Sequence, residues 1–549
     1  MLRTDGTDDV ANDVGFPGEP ATRQQNIEHV ADPEKPGMIQ DNSSDDEKGK
    51  DVRSDGKIEL QENDCYEKLG FSFPSWKKWW IITVIFWIQV SMNFNASIYS
   101  NAVPGIQKKF HVSGQAARVG QMIFLVSYAF GCELWAPWSE ELGRRPIMQA
   151  SLFFVNIWHI LVALAPNFGS IIVGRFLGGI SSAGGSVTLG MVADMWEPED
   201  QQYAVAYVVL SSVGGSAVGP IVGGFMQEHA KWQWCLWVAL IFGGVVQAVH
   251  FFTVPETRAS CLIDKEAKRR RKAGETNVFG PDELKEHRMT VKEVLTIWSR
   301  PFYMFLREPI VLCLSLLSGF SDALIFIFLD SFSPVFAQWN FTPQETGMAF
   351  IAIMIGYFIA YFSFLPWIHK DRVIRRKDPD ALLPEARLWW LLWLAPLEAI
   401  GLFGFAWTSL GPQYSHWIAP MIFAALIGIA NYAIYMATID YMVAAYGPYS
   451  ASATGGNGFA RDFLAGIAAM YSVPFYNNVG GTSYRYHLEW PTTILGVIAI
   501  MVAIPIYVFY WYGPAIRARS KFAQTLAADR QRREGRQPVI DPKVEYGTV

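Results

Sequence analysis

The strongest constraint on this chain is a recurrence of apolar runs about twenty residues long, each bounded by charges or turn residues. A helix of about twenty apolar residues crosses the hydrocarbon core of a bilayer. The runs fall at about 79–101, 117–137, 147–165, 170–193, 203–227 and 233–254, then at about 306–332, 345–367, 388–409, 415–439, 451–474 and 491–512. Composition agrees: 51% of the 549 residues are hydrophobic and only 17% are charged, where a soluble chain carries about 25% charged residues. The fold class is therefore an all-α polytopic membrane protein. The net charge of -5 says little, because much of the acid lies in the N-terminal tail. That polar tail reads as no cleavable signal, so the first run itself would direct insertion. The five cysteines show no paired spacing, and neither a metal site nor a disulfide framework is expected.

The runs divide the chain into a disordered tail (1–75), a six-helix bundle (76–254), a charged central segment (255–305), a second six-helix bundle (306–512) and a polar tail (513–549). Arg144, Arg145, Lys370, Arg372, Arg375, Arg376, Lys377, Arg517, Arg519 and Lys521 all fall on one side of a twelve-span plan. The positive-inside rule makes that side, and both termini, cytosolic. Lys108 and Lys109 are an exception. An internal duplication is suggested by Asp194 nine residues before Tyr203 and Asp440 nine before Tyr449. Pro104 and Pro334, each leading out of the first span of a half, also match. Such register favours two parallel repeats related by an axis along the membrane normal.

Four segments carry further information. Gly215, Gly219, Pro220, Gly223 and Gly224 form Gly-x-x-x-Gly-Pro-x-x-Gly-Gly within the fifth span, a side-chain-free stripe that lets another helix approach. Ser139-Glu-Glu-Leu-Gly-Arg-Arg145 joins spans 2 and 3, with Gly143 for the turn and Arg144 and Arg145 as cations. Arg175 lies inside span 4, where a charge is costly and must face protein. Val254-Pro-Glu-Thr-Arg-Ala259 closes span 6. A packing stripe, a topology signal and a structural ion pair are the plain readings of the first three. There is no phosphate-cradling loop, so ATP drive is not indicated. Isolated His159 and His250 read as packing residues, and the Lys268–Lys272 run as a solvated topology signal or a lipid contact.

These four segments together resemble the major facilitator superfamily, and more narrowly its fungal twelve-span drug:proton antiporters. The span 5 stripe matches the family's antiporter motif. The loop departs from the family's Gly-x-Leu-Ala-Asp-Arg-x-Gly-Arg-Arg: Ala136 replaces the first Gly, Glu140 replaces Asp, and Glu141 replaces Arg. The resemblance implies no enzyme activity and no cofactor beyond protons as coupling ion. It implies two bundles rocking about a site between spans 1, 4, 7 and 10, with Gly215–Gly224 and the Glu140, Gly143, Arg144, Arg145 loop in gating.

Those spans offer Asn93, Asn95, Phe326, Phe328, Asn431, Tyr432 and Tyr435 as cavity residues. Arg175, Asp322 and Glu133 are the expected proton-coupling groups, with Glu398 and Asp462 as further acids. The reading is export of drugs, fungicides or other toxic organic compounds by a monomer, from the plasma membrane or the vacuole. Its partners are a small organic substrate, protons and lipid, not nucleic acid. Alternatives are a polyamine or secondary-metabolite exporter, and a nutrient sensor that does not transport. Asn340-Phe-Thr342 is a glycosylation candidate on the outer side.

Overall fold

In lipid the backbone has no hydrogen-bond partner except itself, so each apolar run is driven into a helix. The computed structural model describes residues 57–197, 200–284, 291–378, 382–479, 488–520 and 522–523. The first half consists of α1 (Ser75–Phe110), α2 (Gly114–Leu142), α3 (Arg144–Ala163), α4 (Phe168–Ser182), α5 (Val187–Ala193), α6 (Gln201–His229) and α7 (Gln233–Thr253). α8 (Ala259–Lys272) and α9 (Val291–Arg307) belong to the central segment. The second half has α10 (Pro309–Ala337), α11 (Pro343–Met348), α12 (Phe350–Lys377), α13 (Trp389–Leu394), α14 (Pro396–Thr408), α15 (Ile418–Tyr446), α16 (Ser450–Asn478) and α17 (Glu489–Arg517). The side that carries the central segment is called the loop side below, and the opposite one the far side.

Span 4 is not one continuous helix. Between α4 and α5 the residues Ala183–Ser186 tighten into a 3-10 turn. Gly184 and Gly185 sit there against Ser151 and Gln89, where a Cβ would come within 2.5 Å of Ser151 Cβ and Gln89 Oε1. Span 9 is interrupted at Ala395, the residue before Pro396, as a ring without an N–H requires.

Eleven of the described helical stretches are long and apolar enough to cross a membrane. The eleventh expected span, α16, has the length, 29 residues, but falls outside that set. Its interior carries Asn457, Arg461 and Asp462. Asn457 and Arg461 are buried, because α16 packs between α2 of the first half and α10 of the second. Polar groups at membrane depth are tolerated where protein covers them.

The duplication appears in the ion pairs. Asp194, just beyond α5, accepts a hydrogen bond from Arg144 Nε at 2.9 Å. Asp440, near the end of α15, pairs with Arg387 ahead of α13. Each acid ends the fourth span of its half, and each arginine lies at the entrance to the third.

Residues 57–74, expected to be part of a disordered tail, are built into the protein. β1 (Ile58–Glu59) pairs in parallel with β2 (Val278–Phe279) of the central segment. Leu60, Cys65 and Leu69 pack with Ile263 and Ala267 of α8 in a small apolar core. Lys68 Nζ reaches Glu266 at 2.5 Å, and Arg270 donates to the Asp64 carbonyl at 2.9 Å. Glu266 is held below the usual carboxylate range, chiefly by the Lys68 hydrogen bond. The hydrophobic spacing of Leu60, Cys65 and Leu69 is too sparse to show against so polar a background. Residues 1–56 lie outside the described residues.

Candidate functional site

The glycine stripe divides its work between two faces of α6. Gly215 lies on α1, where a Cβ would stand 2.7 Å from Asn93 Cβ and from the Val90 carbonyl. At Gly219 a Cβ would reach 2.9 Å from Ile98 N, and Gly223 abuts Asn101. These three, four residues apart, pack α6 onto α1 within the first half. Gly224 faces the second half: a Cβ there would be 2.6 Å from the Pro343 carbonyl and 3.3 Å from Gly347 Cα. Only this far-side end of the stripe, together with Pro220, meets the other bundle. α6 nevertheless runs through Pro220 without a break.

The span 2–3 loop is an electrostatic knot. Gly143 turns with φ +98°, and a Cβ there would lie 2.5 Å from Glu256 Oε2. The backbone N–H groups of Arg144 and Arg145 donate to Glu256 at 2.9 and 3.1 Å. A carboxylate from the Pro-Glu-Thr segment thus satisfies the exposed start of α3, where N–H groups and the helix dipole favour an anion. Arg144 Nη1 also donates to Ser139 at 2.6 Å. Arg258 lies 3.7 Å from Asp194. Glu140, which the resemblance casts as the loop's acid, is exposed and makes no ion pair among the described residues. Asp194 and Glu256 hold the arginine in its place.

Arg175 is buried, and no carboxylate touches it among the described residues. Its Nε donates to the Gly120 carbonyl at 3.1 Å, and Nη1 to Asn95 Oδ1 at 3.0 Å. Tyr99 and Phe124 cover the guanidinium, at 4.5 and 4.0 Å from their ring centres. Carbonyl oxygens and π-faces replace water here. Arg175 therefore ties α4 to α1 and α2.

The acids meet where the halves touch. Asp322 of α10 accepts from Arg461 Nη2 of α16 at 3.1 Å, with both side chains buried. The Arg461 guanidinium lies 3.5 Å above the Tyr435 ring of α15. Across the boundary, Glu133 of α2 presses on α16, where a Cβ added at Gly455 would meet its Cδ at 2.8 Å. Asp462 follows Arg461 on α16, which packs against α2. Phe326 packs at the same junction with Phe124, Tyr128 and Ala465.

The other expected cavity residues scatter. Phe328 is fully buried against Phe332 and Phe405 inside the second half. Asn431 donates to Ser321 at 3.1 Å, and Glu398 is buried beside the same serine. Tyr432 donates its hydroxyl across the boundary to the Ala206 carbonyl at 3.0 Å. Asn93 is half-buried and donates to the Gln89 carbonyl of its own helix. The exposed Asn340 sits at φ +60° just after α10.

A cavity of about 350 Å³ opens between the halves in the far-side third. None of the cavity residues expected from sequence lines it; Asn101, Gln107, Gln227, Ser331, Asn477 and Phe350 do. Pro104 and Pro334 of the repeated segments both border it. Its polar walls were not legible, because isolated Asn, Gln and Ser residues in apolar runs have no spacing signature.

Two helical bundles meeting around buried charges and a cavity define a membrane transporter. Residues 85–470 match the family model described as Major Facilitator Superfamily, and the chain belongs to that family. It is 31% identical over 455 residues to the MFS-type transporter kojT of Aspergillus flavus, covering 81% of this chain and 79% of that one. It is 28% identical to the multidrug transporter FLR2 of Candida glabrata over 497 residues, covering 89% and 82%. The proton:xylose symporter XylE, solved with 6-bromo-6-deoxy-D-glucose, shares the fold with a TM-score of 0.54 at 15% identity, over 80% of this chain and 97% of that one.

Proposed function

We propose that this transporter is a proton-coupled antiporter that exports small toxic organic compounds by alternating access, with the loop side cytosolic. The carrying observation is the buried Asp322–Arg461 pair at the boundary of the halves, with Glu133 and Asp462 close by. Both residues belong to the second half, so the pair stays together as the halves rock, and what alternation changes is which side of the membrane can exchange a proton with the buried acids. Proton uptake and release then follow the change of access. FLR2 is named a multidrug transporter, which supports drugs as cargo. A second reading, export of a secondary metabolite, is favoured by the amide- and hydroxyl-rich cavity wall, which suits hydroxylated cargo better than a lipophilic cation.

The test is efflux of a dye or fungicide from cells with and without the protein, with and without a protonophore. Expected is efflux that the protonophore abolishes. Unchanged accumulation across a broad compound panel overturns the reading. Asp322→Asn should abolish proton-driven efflux while cargo binding survives; normal efflux in that variant removes Asp322 as the coupling acid.

A further inference from the structure

The far-side cavity contains one ion pair, and it joins the two halves. Arg118, near the start of α2, donates from Nε to Asp330 of α10 at 3.1 Å. The second Asp330 oxygen accepts from Ser472 of α16 at 2.5 Å. Both charged side chains are largely buried, and all three residues line the cavity. Neighbouring contacts between the halves on this side are uncharged or near solvent: Gln115 donates to the Met470 carbonyl at 2.5 Å, His229 meets Gln344 at 2.9 Å, and Glu228 accepts from the Gln344 backbone at 3.0 Å. On the loop side the halves are joined by another set. Asp200 pairs with Arg372 at 2.6 Å, and Gln202 donates to Asp440 at 2.6 Å.

We propose that Arg118, Asp330 and Ser472 form the far-side latch of the transport cycle, a contact that must break before the cavity opens on that side. The inference rests on the alternation of the two halves proposed above, but on neither the cargo nor the coupling ion. α2 belongs to the first bundle, whereas α10 and α16 belong to the second. Separating the bundles on the far side pulls Arg118 from Asp330 and wets both charges. Asp330 keeps Ser472 as it leaves, since that partner moves with it. The pair therefore favours the closed far side, and the loop-side pairs favour the closed loop side. Each set biases the same two-state element in opposite directions.

Ser331 offers a reporter. It is 2% exposed, lies next to Asp330 in the chain, and lines the cavity. Ser331→Cys is close to isosteric, and the thiol is hidden until the far side opens. The full chain carrying Ser331→Cys, in lipid nanodiscs, is reacted with a charged methanethiosulfonate, and the rate is read against protein without that substitution. Arg118→Gln and Asp330→Asn should each raise the rate on the order of tenfold, within the range of typical coupling between states. Arg118→Asp combined with Asp330→Arg should return it towards the starting value. General loosening would not be reversed by the exchange, and the thermal unfolding midpoint, read in parallel, registers it separately. Unchanged rates in both single variants, or an exchanged pair that reacts as fast as the faster single variant, overturn the latch. Because labelling needs no cargo or proton gradient, failure of the export assay leaves this result standing.

Discussion

Removing Arg461 tests how far the central charge pair is structural and how far it is functional. Asp322 is 4% exposed and Arg461 6%. At their separation of 3.1 Å the gross attraction is about 5 kcal/mol for an effective dielectric of about 20, offset by the desolvation of both groups. Arg461→Gln leaves Asp322 buried and uncompensated, and breaking a buried pair from one side costs about 3–5 kcal/mol. Asp322→Asn leaves Arg461 with the Tyr435 ring, so its cost should be smaller. In the double variant no charge is stranded, and the two costs should not add. The measurement is a double-mutant cycle on thermal unfolding in detergent. Expected is a coupling energy above about 1 kcal/mol, beyond the near-additivity of independent sites. Efflux should stay absent in the double variant although stability returns. Additive costs would refute the shared pair, and normal efflux in the double variant would refute the coupling role.

Gly219→Leu, with its Cβ 2.9 Å from Ile98 N, should abolish folded protein on size-exclusion chromatography. Gly244→Ala, with nothing within 4 Å, should be neutral or stabilising by about 0.5–1 kcal/mol. Glu256→Ala removes the acceptor for the start of α3 and should lower stability by about 1–2 kcal/mol, read as a lower unfolding midpoint. Because the folded-state pKa of Glu266 is depressed, its contribution is present above the ordinary carboxylate range and is lost as pH falls through the folded value. Limited proteolysis of the central segment should therefore accelerate on acidification, and Lys68→Met should remove most of that dependence.

Membrane insertion, the two-bundle plan and the apolar centre of each helix follow from local sequence, whereas α1 and α12 run on to Phe110 and Lys377, well past the ends expected at about 101 and 367. The bilayer makes a run of apolar residues into a helix whatever its neighbours do. The loop arginines and glycine stripe were legible as well, because turns and close helix contacts demand particular residue types. What those residues touch was decided by tertiary structure. The resemblance put Glu140 in the loop with Arg144, and only the fold brings Asp194 within 2.9 Å of that arginine instead. Asp322 and Arg461 are 139 residues apart, and no periodicity links them. Arg118 and Asp330 look in sequence like a boundary charge and a stray acid. The glycine stripe also changed meaning: spacing identified a smooth helix face, but packing showed that most of it serves α1 and only Pro220 and Gly224 meet the second half. Lipid sets where helices form through local chain chemistry; pairing among their polar groups depends on rotation, depth and neighbour, which exist only once the bundle has assembled.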